Sequence, residues 1–166
     1  MLSISLNMLY FAYGSNMNPN QMYARIGDFG SCRLIGSAQL TGHKLVFNVP
    51  DDHATNAAYA NIAKNPISTV HGVLYDLDQK AFSVLDQFEH VPILYTRCII
   101  MVTFDGQEKE AYVYFGNKIS TKCIGPTKRY LNRILLGKEF LPKEYFEKLS
   151  KIKTCQDPKF DSIKEE

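Results

Sequence analysis

The stretch YFAYGSNM, residues 10–17, decides how the chain is interpreted. An apolar run ends in the small polar sequence Tyr13-Gly14-Ser15-Asn16, and signals for a helix follow at once. Either this is an ordinary turn between a strand and a helix, or it presents backbone N–H groups to a ligand. Unpaired N–H groups at a helix start favour a carboxylate or a developing oxyanion, and a glycine permits close approach of a ligand. The residues alone leave both interpretations open.

The flanks of this stretch predict a strand before it and a helix after it. Apolar and polar residues alternate from residue 2 to residue 7 and lead into an apolar run at 8–13, as in a strand that becomes buried on both faces. This alternation, without a basic leader, argues against a signal peptide or a membrane segment. Downstream, Asn18, Pro19 and Gln21 follow the order of an N-cap, a first-turn proline and a third helical residue.

The remaining segments predict strands grouped together and helices at separate places, which is an α+β class. Further strands are predicted at 33–40, 43–49, 57–63, 70–77, 95–104 and 110–115. Further helices are predicted from the Asp78 cap to Phe88, from about 126 to 138 and from about 142 to 151. Asp105-Gly106 predicts a hairpin turn. We expect one domain over residues 1–152 and a flexible tail over 153–166.

The composition excludes several classes of function. The chain has 166 residues, 45% of them hydrophobic, which is enough for one domain with a sizeable core. A net charge of +2 and short basic clusters typical of solvated helix faces argue against nucleic acid as a partner. Four cysteines and four histidines lie far apart, so no metal site is expected, and reduced thiols fit a soluble cytoplasmic protein.

Ser15 invites comparison with a serine nucleophile. The nucleophile elbow requires G-x-S-x-G, but Tyr13 and Met17 stand at the two glycine positions. Any of the four histidines could supply a base, yet no spacing connects one of them to Ser15. The residues therefore give little support to Ser15 as a nucleophile, and a serine-dependent amidase is kept as an alternative.

Glu89, in the segment LDQFEHVPILY at 85–95, stands among apolar residues at the end of a predicted helix. The helix dipole disfavours a negative charge there, and burial would raise the pKa of the carboxyl further. A glutamate with a pKa near neutrality is a usable general base. The alternative is that Glu89 lies on the surface, as most glutamates do. Asp86, one turn earlier, is expected to be a surface or capping residue.

Tyr112 and Tyr114 alternate along the last predicted strand and therefore share one face. Packing in the core is the default expectation for both rings, and a place in a pocket wall is the second.

Four segments together resemble the γ-glutamylcyclotransferase family. They are YFAYGSNM at 10–17, HGVLYDL at 71–77, LDQFEHVPILYTR at 85–97, and the closing GPTKRYLNRILLG and LPKEYFEKL within 125–149. They follow the family's order over most of residues 9–150. Asn16 after Tyr-Gly-Ser resembles the branch that acts on γ-glutamyl dipeptides. The resemblance implies a small mixed β-barrel with flanking helices, in agreement with the α+β prediction.

The resemblance also implies roles for single residues. Glu89 matches the family's catalytic acid/base, whereas a histidine, His90, stands where the family commonly has glycine. A bulkier residue there would narrow the pocket or shift Glu89. The positions that match substrate-binding residues are Tyr13, Gly14, Ser15, Asn16 and Met17 in the loop, Tyr112 in the strand and Tyr130 in a helix.

The function implied by the resemblance is cyclisation of γ-glutamyl-amino acids to 5-oxoproline with release of the amino acid. We therefore expect a cofactor-free cytoplasmic enzyme of γ-glutamyl and glutathione metabolism, with a small-molecule substrate. Neither nucleic acid nor membrane is an expected partner, and a homodimer is left open. Two alternatives remain: a non-catalytic module that binds small acids on the same fold, and a Ser15-dependent amidase.

Overall fold

The computed structural model describes residues 7–122 and 125–157. The predicted strand residues 2–6, Cys123 and most of the predicted tail lie outside these ranges. Cys32, Cys98 and Cys155, within the described part, are free thiols. Of the helices in the described part, none combines the length and the apolar character needed to cross a membrane.

Five strands and four α-helices make up the described chain. The strands are β1 (Met8–Ala12), β2 (Cys32–Pro50), β3 (Ala58–Leu77), β4 (Tyr95–Phe104) and β5 (Gln107–Gly116). The α-helices are α1 (Pro19–Ile26), α2 (Gln79–Phe88), α3 (Lys128–Leu135) and α4 (Lys143–Ser150). Short 3-10 helices occupy Ser15–Met17, Gly27–Phe29 and Lys138–Phe140.

The strands form one closed sheet in the order β1-β3-β2-β4-β5. Antiparallel ladders join the neighbours in this order, and a parallel pairing of Tyr10 with Tyr112 connects β5 back to β1. The helices flank the sheet. The predicted α+β class, a small mixed barrel with flanking helices, is confirmed.

The strands β2 and β3 are longer than the sequence predicts. The strands predicted at 33–40 and 43–49 are one strand, and so are those predicted at 57–63 and 70–77. Gly36 and Gly42 have φ angles of 148° and 74°, and the β2–β3 register shifts near both. Both glycines form irregularities within the ladder, and only at Gly42 did the sequence suggest a strand end.

The predicted local signals around the turns and helix starts are present. The Asn18 side chain accepts a hydrogen bond from the backbone N–H of Asn20, and the Asp78 side chain accepts one from the N–H of Ala81. Asp105 and Gly106 have φ angles of 50° and 73°, which suits the tight hairpin between β4 and β5. The last predicted helices are confirmed with shorter bounds, because the chain after α3 tightens into a 3-10 turn.

The core holds the segment 10–17 in place. β1 is buried at its C-terminal end, and Phe11 and Met17 are fully buried on either side of the loop that follows it. α2 packs its apolar face, which includes Phe82 and Leu85, into the same core. The end of β1 and the C-terminus of α2 are therefore held by one rigid core.

The C-terminal part of the described chain is attached to the domain. The backbone N–H of Cys155 donates to the carbonyl of Pro126 at 2.8 Å, next to the start of α3. This contact lies within the first residues of the predicted tail. The boundary at residue 152 and the flexibility of the tail stay predictions.

Candidate active site

A cavity of about 280 Å³ lies between the loop after β1 and the end of α2. Its volume is that of a pocket for a small ligand. Six of the residues predicted for the site line it: Tyr13, Gly14, Ser15, Asn16, Glu89 and Tyr130. The two most distant parts of the predicted site, the loop and Glu89, thus meet in one cavity although 73 residues separate Asn16 from Glu89.

The loop forms part of the cavity wall, and some of its backbone N–H groups have no acceptor among the described residues. Gly14 is the N-cap of the 3-10 helix Ser15–Met17, and its carbonyl accepts a hydrogen bond from the N–H of Met17. Within the described residues, the N–H groups of Ser15 and Asn16 donate to no protein acceptor. A Cβ added at Gly14 would stand 3.4 Å from Tyr130 Oη. A glycine therefore leaves space between the loop and α3.

The side-chain amide of Asn16 is the centre of a buried hydrogen-bond network. Its Oδ1 accepts from Gln21 Nε2 at 3.1 Å and from Arg25 Nη1 at 2.9 Å. Its Nδ2 donates to Tyr10 Oη at 3.1 Å and to Glu89 Oε1 at 3.2 Å. All the hydrogen-bonding capacity of this amide is used. Asn16 is 3% exposed, so the network holds it in one orientation.

Glu89 is the C-cap residue of α2, and its side chain is 19% exposed. The pKa of Glu89 is raised to about 7, chiefly by burial and to a smaller extent by the nearby Asp86 carboxylate. Arg25, whose Nη1 is 4.0 Å from Glu89 Oε1, and the Asn16 hydrogen bond both oppose this shift. The effect of burial on the pKa is larger than these two effects together. The prediction of a buried glutamate at a helix end agrees with this geometry, and its catalytic role stays a proposal.

Tyrosines surround the carboxylate and present neutral hydroxyls. Burial, followed by the charge of Glu89, raises the pKa of both Tyr10 and Tyr13 far above the usual value. Tyr13 Oη donates to the carbonyl of Tyr114. Tyr130 Oη accepts from the backbone N–H of Ala60, and burial also raises the pKa of this residue. These hydroxyls stay protonated at neutral pH and act as hydrogen-bonding groups.

Two of the predicted substrate-binding side chains lie outside the cavity. Met17 is fully buried beneath the loop, where its Cβ would lie 2.7 Å from a Cβ added at Gly137. Tyr112 packs against Phe82 with ring centroids 5.0 Å apart, below the guanidinium of Arg97. Neither side chain lines this cavity, and their assignment to substrate binding stays a prediction.

On β5, Tyr114 and not Tyr112 lines the cavity. The two residues share one face of β5, as the alternation predicted, but they lie about 7 Å apart along the strand. Tyr114 is nearer the cavity end of β5 and lines the cavity. Its hydroxyl donates to Asp86 Oδ1 at 2.8 Å. Asp86, expected as a surface or capping residue, thus receives a buried tyrosine and also pairs with Arg97.

Three residues of the Asn16 network were not predicted as site residues from the sequence: Tyr10, Gln21 and Arg25. Gln21 was interpreted as part of a helix cap, but its Nε2 donates to Ser15 Oγ at 2.9 Å as well as to Asn16. Gln21 and Arg25 are four residues apart on α1 and so occupy one face of the helix. A helical projection of α1 placed against the loop would have indicated both.

His90 lines the cavity beside Glu89 and has a φ angle of 51°. This left-handed conformation favours glycine, which explains why glycine suits the position. The expectation that a residue larger than glycine narrows the pocket or shifts Glu89 stays a prediction.

No group of three or more His, Cys, Asp or Glu side chains that could hold a metal ion occurs among residues 7–122 and 125–157. The polar groups of the cavity are those of a site for an organic ligand with hydrogen-bonding groups.

Comparison with known proteins assigns this chain to a family. The family model described as gamma-glutamyl cyclotransferase, AIG2-like, matches residues 10–134. A gamma-glutamylcyclotransferase from Bos taurus is 29% identical over 157 residues, which cover 88% of this chain and 79% of that protein. The chain therefore belongs to the gamma-glutamyl cyclotransferase, AIG2-like family.

Solved structures agree with this assignment. A structure named gamma-glutamyl cyclotransferase superposes with a TM-score of 0.80 at 28% identity, covering 91% of this chain and 90% of the other. An uncharacterized protein from Homo sapiens superposes with a TM-score of 0.79 at 28% identity, covering 90% of each chain. The fold and the family names together indicate an enzyme that cyclises γ-glutamyl compounds.

Proposed function

We propose that the protein converts γ-glutamyl-amino acids to 5-oxoproline and the free amino acid, with Glu89 as general acid/base. The observation that carries this proposal is the meeting of Glu89, with its pKa near 7, and the Tyr13–Asn16 loop in one small cavity. The family assignment supports cyclisation of γ-glutamyl compounds in general.

The reaction is an internal acyl transfer. The substrate's α-amine attacks its own γ-carbonyl carbon, a new C–N bond closes the five-membered ring, and the original amide C–N bond breaks. The cavity would hold the substrate folded back on itself. Holding reactants in such a near-attack geometry contributes roughly 7–11 kcal/mol to the lowering of a barrier.

Proton transfer is the task that ring closure leaves to the protein. The α-amine is mostly protonated at neutral pH and must lose a proton before it attacks, and the leaving nitrogen must gain one before it departs. A carboxyl group with a pKa near 7 accepts and returns a proton with little energetic cost at neutral pH, an effect worth typically ~10²–10⁴-fold in rate. Glu89 would take the first proton and deliver it to the leaving nitrogen.

The loop would bind the negative charge of the substrate. The N–H groups of Ser15 and Asn16, which have no protein acceptor in the described chain, are suited to a carboxylate or to the oxyanion that develops on the γ-carbonyl. Tyr130, whose hydroxyl faces Gly14, lies on the other side of the same space.

The geometry favours this mechanism over the two alternatives. Ser15 Oγ accepts its hydrogen bond from Gln21 Nε2, an amide that cannot take a proton, so nothing in the described contacts activates a serine nucleophile. A non-catalytic module that binds acids would gain nothing from a buried carboxylate beside the anion. Glu89 is therefore better explained by proton transfer than by binding.

The proposal is tested by comparing the natural protein with Glu89→Gln on a panel of γ-glutamyl dipeptides, with 5-oxoproline as the measured product. The variant should fold and bind substrate, because glutamine is nearly isosteric and can still accept the Asn16 hydrogen bond. Its turnover should be lost, because an amide cannot take the ammonium proton. Normal turnover by a folded Glu89→Gln protein would refute the assignment.

A further inference from the structure

We propose that Arg25 of α1 is a positioning residue for Glu89, acting through the side-chain amide of Asn16. This inference rests on the proposed role of Glu89 as the acid/base. Arg25 lines the cavity, and its hydrogen bond is to Asn16 Oδ1, so we assign it an action on Glu89 and not on the reacting atoms.

The orientation of the Asn16 amide follows from the chemistry of arginine. A guanidinium has donors and no acceptor, so the group that lies 2.9 Å from Arg25 Nη1 must be the amide oxygen. The amide nitrogen is then turned to the opposite side, where it donates to Tyr10 Oη and Glu89 Oε1. A reversed amide would place an NH2 group against the guanidinium. Arg25, together with Gln21 Nε2, which donates to the same oxygen at 3.1 Å, therefore determines which Asn16 atom faces Glu89.

Arg25 itself is held in place by the helix that carries Glu89. Its guanidinium carbon lies 4.8 Å from the ring centroid of Phe88, the residue immediately before Glu89. The side chain is 23% exposed, so the cation–π contact is partly shielded from water. Arg25 thus connects α1, the loop and the end of α2 in one arrangement.

In this arrangement the two carboxylate oxygens of Glu89 have different roles. Oε1 accepts the Asn16 hydrogen bond and lies 4.0 Å from Arg25 Nη1. In the described part of the chain, Oε2 receives no hydrogen bond. Oε2 is then the oxygen that exchanges a proton with the substrate nitrogen, and Arg25 and Asn16 fix where it lies.

The charge of Arg25 also favours the ionised form of Glu89 and lowers its pKa. Other groups act on this carboxyl as well. Asp86 raises its pKa from within α2. Five tyrosines line the same cavity from the strands, the loop after β1 and α3: Tyr10, Tyr13, Tyr95, Tyr114 and Tyr130. Asp52, His53, Tyr59, His90 and Arg133 complete the titratable lining. Imidazoles change charge near neutrality, so the pH dependence of the rate does not by itself report the Glu89 carboxyl. The titration of that carboxyl must therefore be observed directly.

The experiment compares Arg25→Met, Arg25→Lys and the control Arg33→Met. Arg33 pairs with Asp76 on the sheet, with 70% of its side chain exposed, and it does not line the cavity. Steady-state kinetics give kcat and KM across pH for each protein. The carboxyl carbon of Glu89, observed by ¹³C NMR in the substrate-free protein, gives its titration independently of activity.

Arg25→Met should lower kcat by about 10²-fold with little change in KM, because the acid/base is misplaced while the binding groups remain. The Glu89 titration and the acid limb of the rate profile should both move to higher pH. Arg25→Lys should keep the pH dependence, because the charge remains, but lose part of kcat, because an ammonium does not reproduce the fixed guanidinium geometry. Arg33→Met should match the natural protein.

An Arg25→Met protein with unchanged kcat, or with the Glu89 titration unmoved, would overturn the inference. If Arg25→Met does not fold, Arg25→Lys decides, and a kcat equal to that of the natural protein would overturn it. A natural protein that forms no 5-oxoproline would refute the proposed function instead. The NMR titration would still show whether Arg25 acts on Glu89.

Discussion

Two carboxylates of α2, Asp86 and the C-cap Glu89, are one helical turn apart and similarly exposed, at 26% and 19% of their side chains. Asp86 receives Tyr114 Oη at 2.8 Å and Arg97 Nε at 3.1 Å. Glu89 receives one neutral donor, Asn16, and its nearest cation is 4.0 Å away. One carboxylate has a cation and a hydroxyl within hydrogen-bond distance, whereas Glu89 has one amide donor and a pKa that burial raises to about 7.

The largest expected effect is on stability, at Glu89 itself. A carboxyl whose pKa is raised from 4.5 to about 7 on folding binds its proton more tightly in the folded state. Its contribution to stability is therefore present below pH 4.5 and is lost as the pH rises through 7, by on the order of 3 kcal/mol. Glu89→Gln should abolish this loss.

Urea unfolding of the natural protein and of Glu89→Gln at pH 5 and pH 8 measures the difference. We expect the variant to gain stability relative to the natural protein between the two pH values. An equal pH dependence in both proteins would contradict a raised pKa at Glu89.

An intermediate effect is expected at Asp86. Its negative charge raises the pKa of Glu89, so Asp86→Asn should lower that pKa and move the acid limb of the rate profile to lower pH. The rate at neutral pH should change less than about tenfold, because asparagine can still accept from Tyr114. The control is Glu108→Gln on the exposed part of β5. Movement of the acid limb of the rate profile to higher pH would contradict the inference that the charge of Asp86 raises the pKa of Glu89.

The smallest effect is expected at Ser15. Ser15→Ala removes one hydrogen bond, from Gln21 Nε2, worth about 0.5–1.5 kcal/mol, and leaves the backbone N–H groups in place. Turnover should fall by less than about tenfold. A loss as complete as that of Glu89→Gln, together with a covalent acyl-enzyme detected by mass spectrometry, would favour the amidase alternative.

Local signals in the sequence predicted most of the elements that position the cavity. The Asn18 and Asp78 caps and the Asp105-Gly106 turn all depend on residues close together in the chain, and the structure contains each of them. The meeting of the loop with Glu89 came from the family resemblance, because no local pattern brings together residues that are 73 positions apart.

The differences between the predicted and the observed features arise from contacts between parts of the chain that are distant in sequence. Gly42 suggested a strand end, but pairing with β3 carries β2 through this glycine. Tyr112 and Tyr114 have the same alternation, and only the position of the cavity along β5 separates them. Arg25 is the first charged residue of the chain, and its partner Asn16 becomes visible only when α1 folds back against the loop.

The most direct test of internal ring closure uses two substrates and two product assays. One substrate is a γ-glutamyl dipeptide, and the other is the same dipeptide acetylated on its α-amine, which removes the nucleophile. Ring closure with Glu89 as acid/base predicts 5-oxoproline and no glutamate from the free dipeptide, and no reaction of the acetylated one. Release of glutamate from the free dipeptide, or cleavage of the acetylated one, would contradict it.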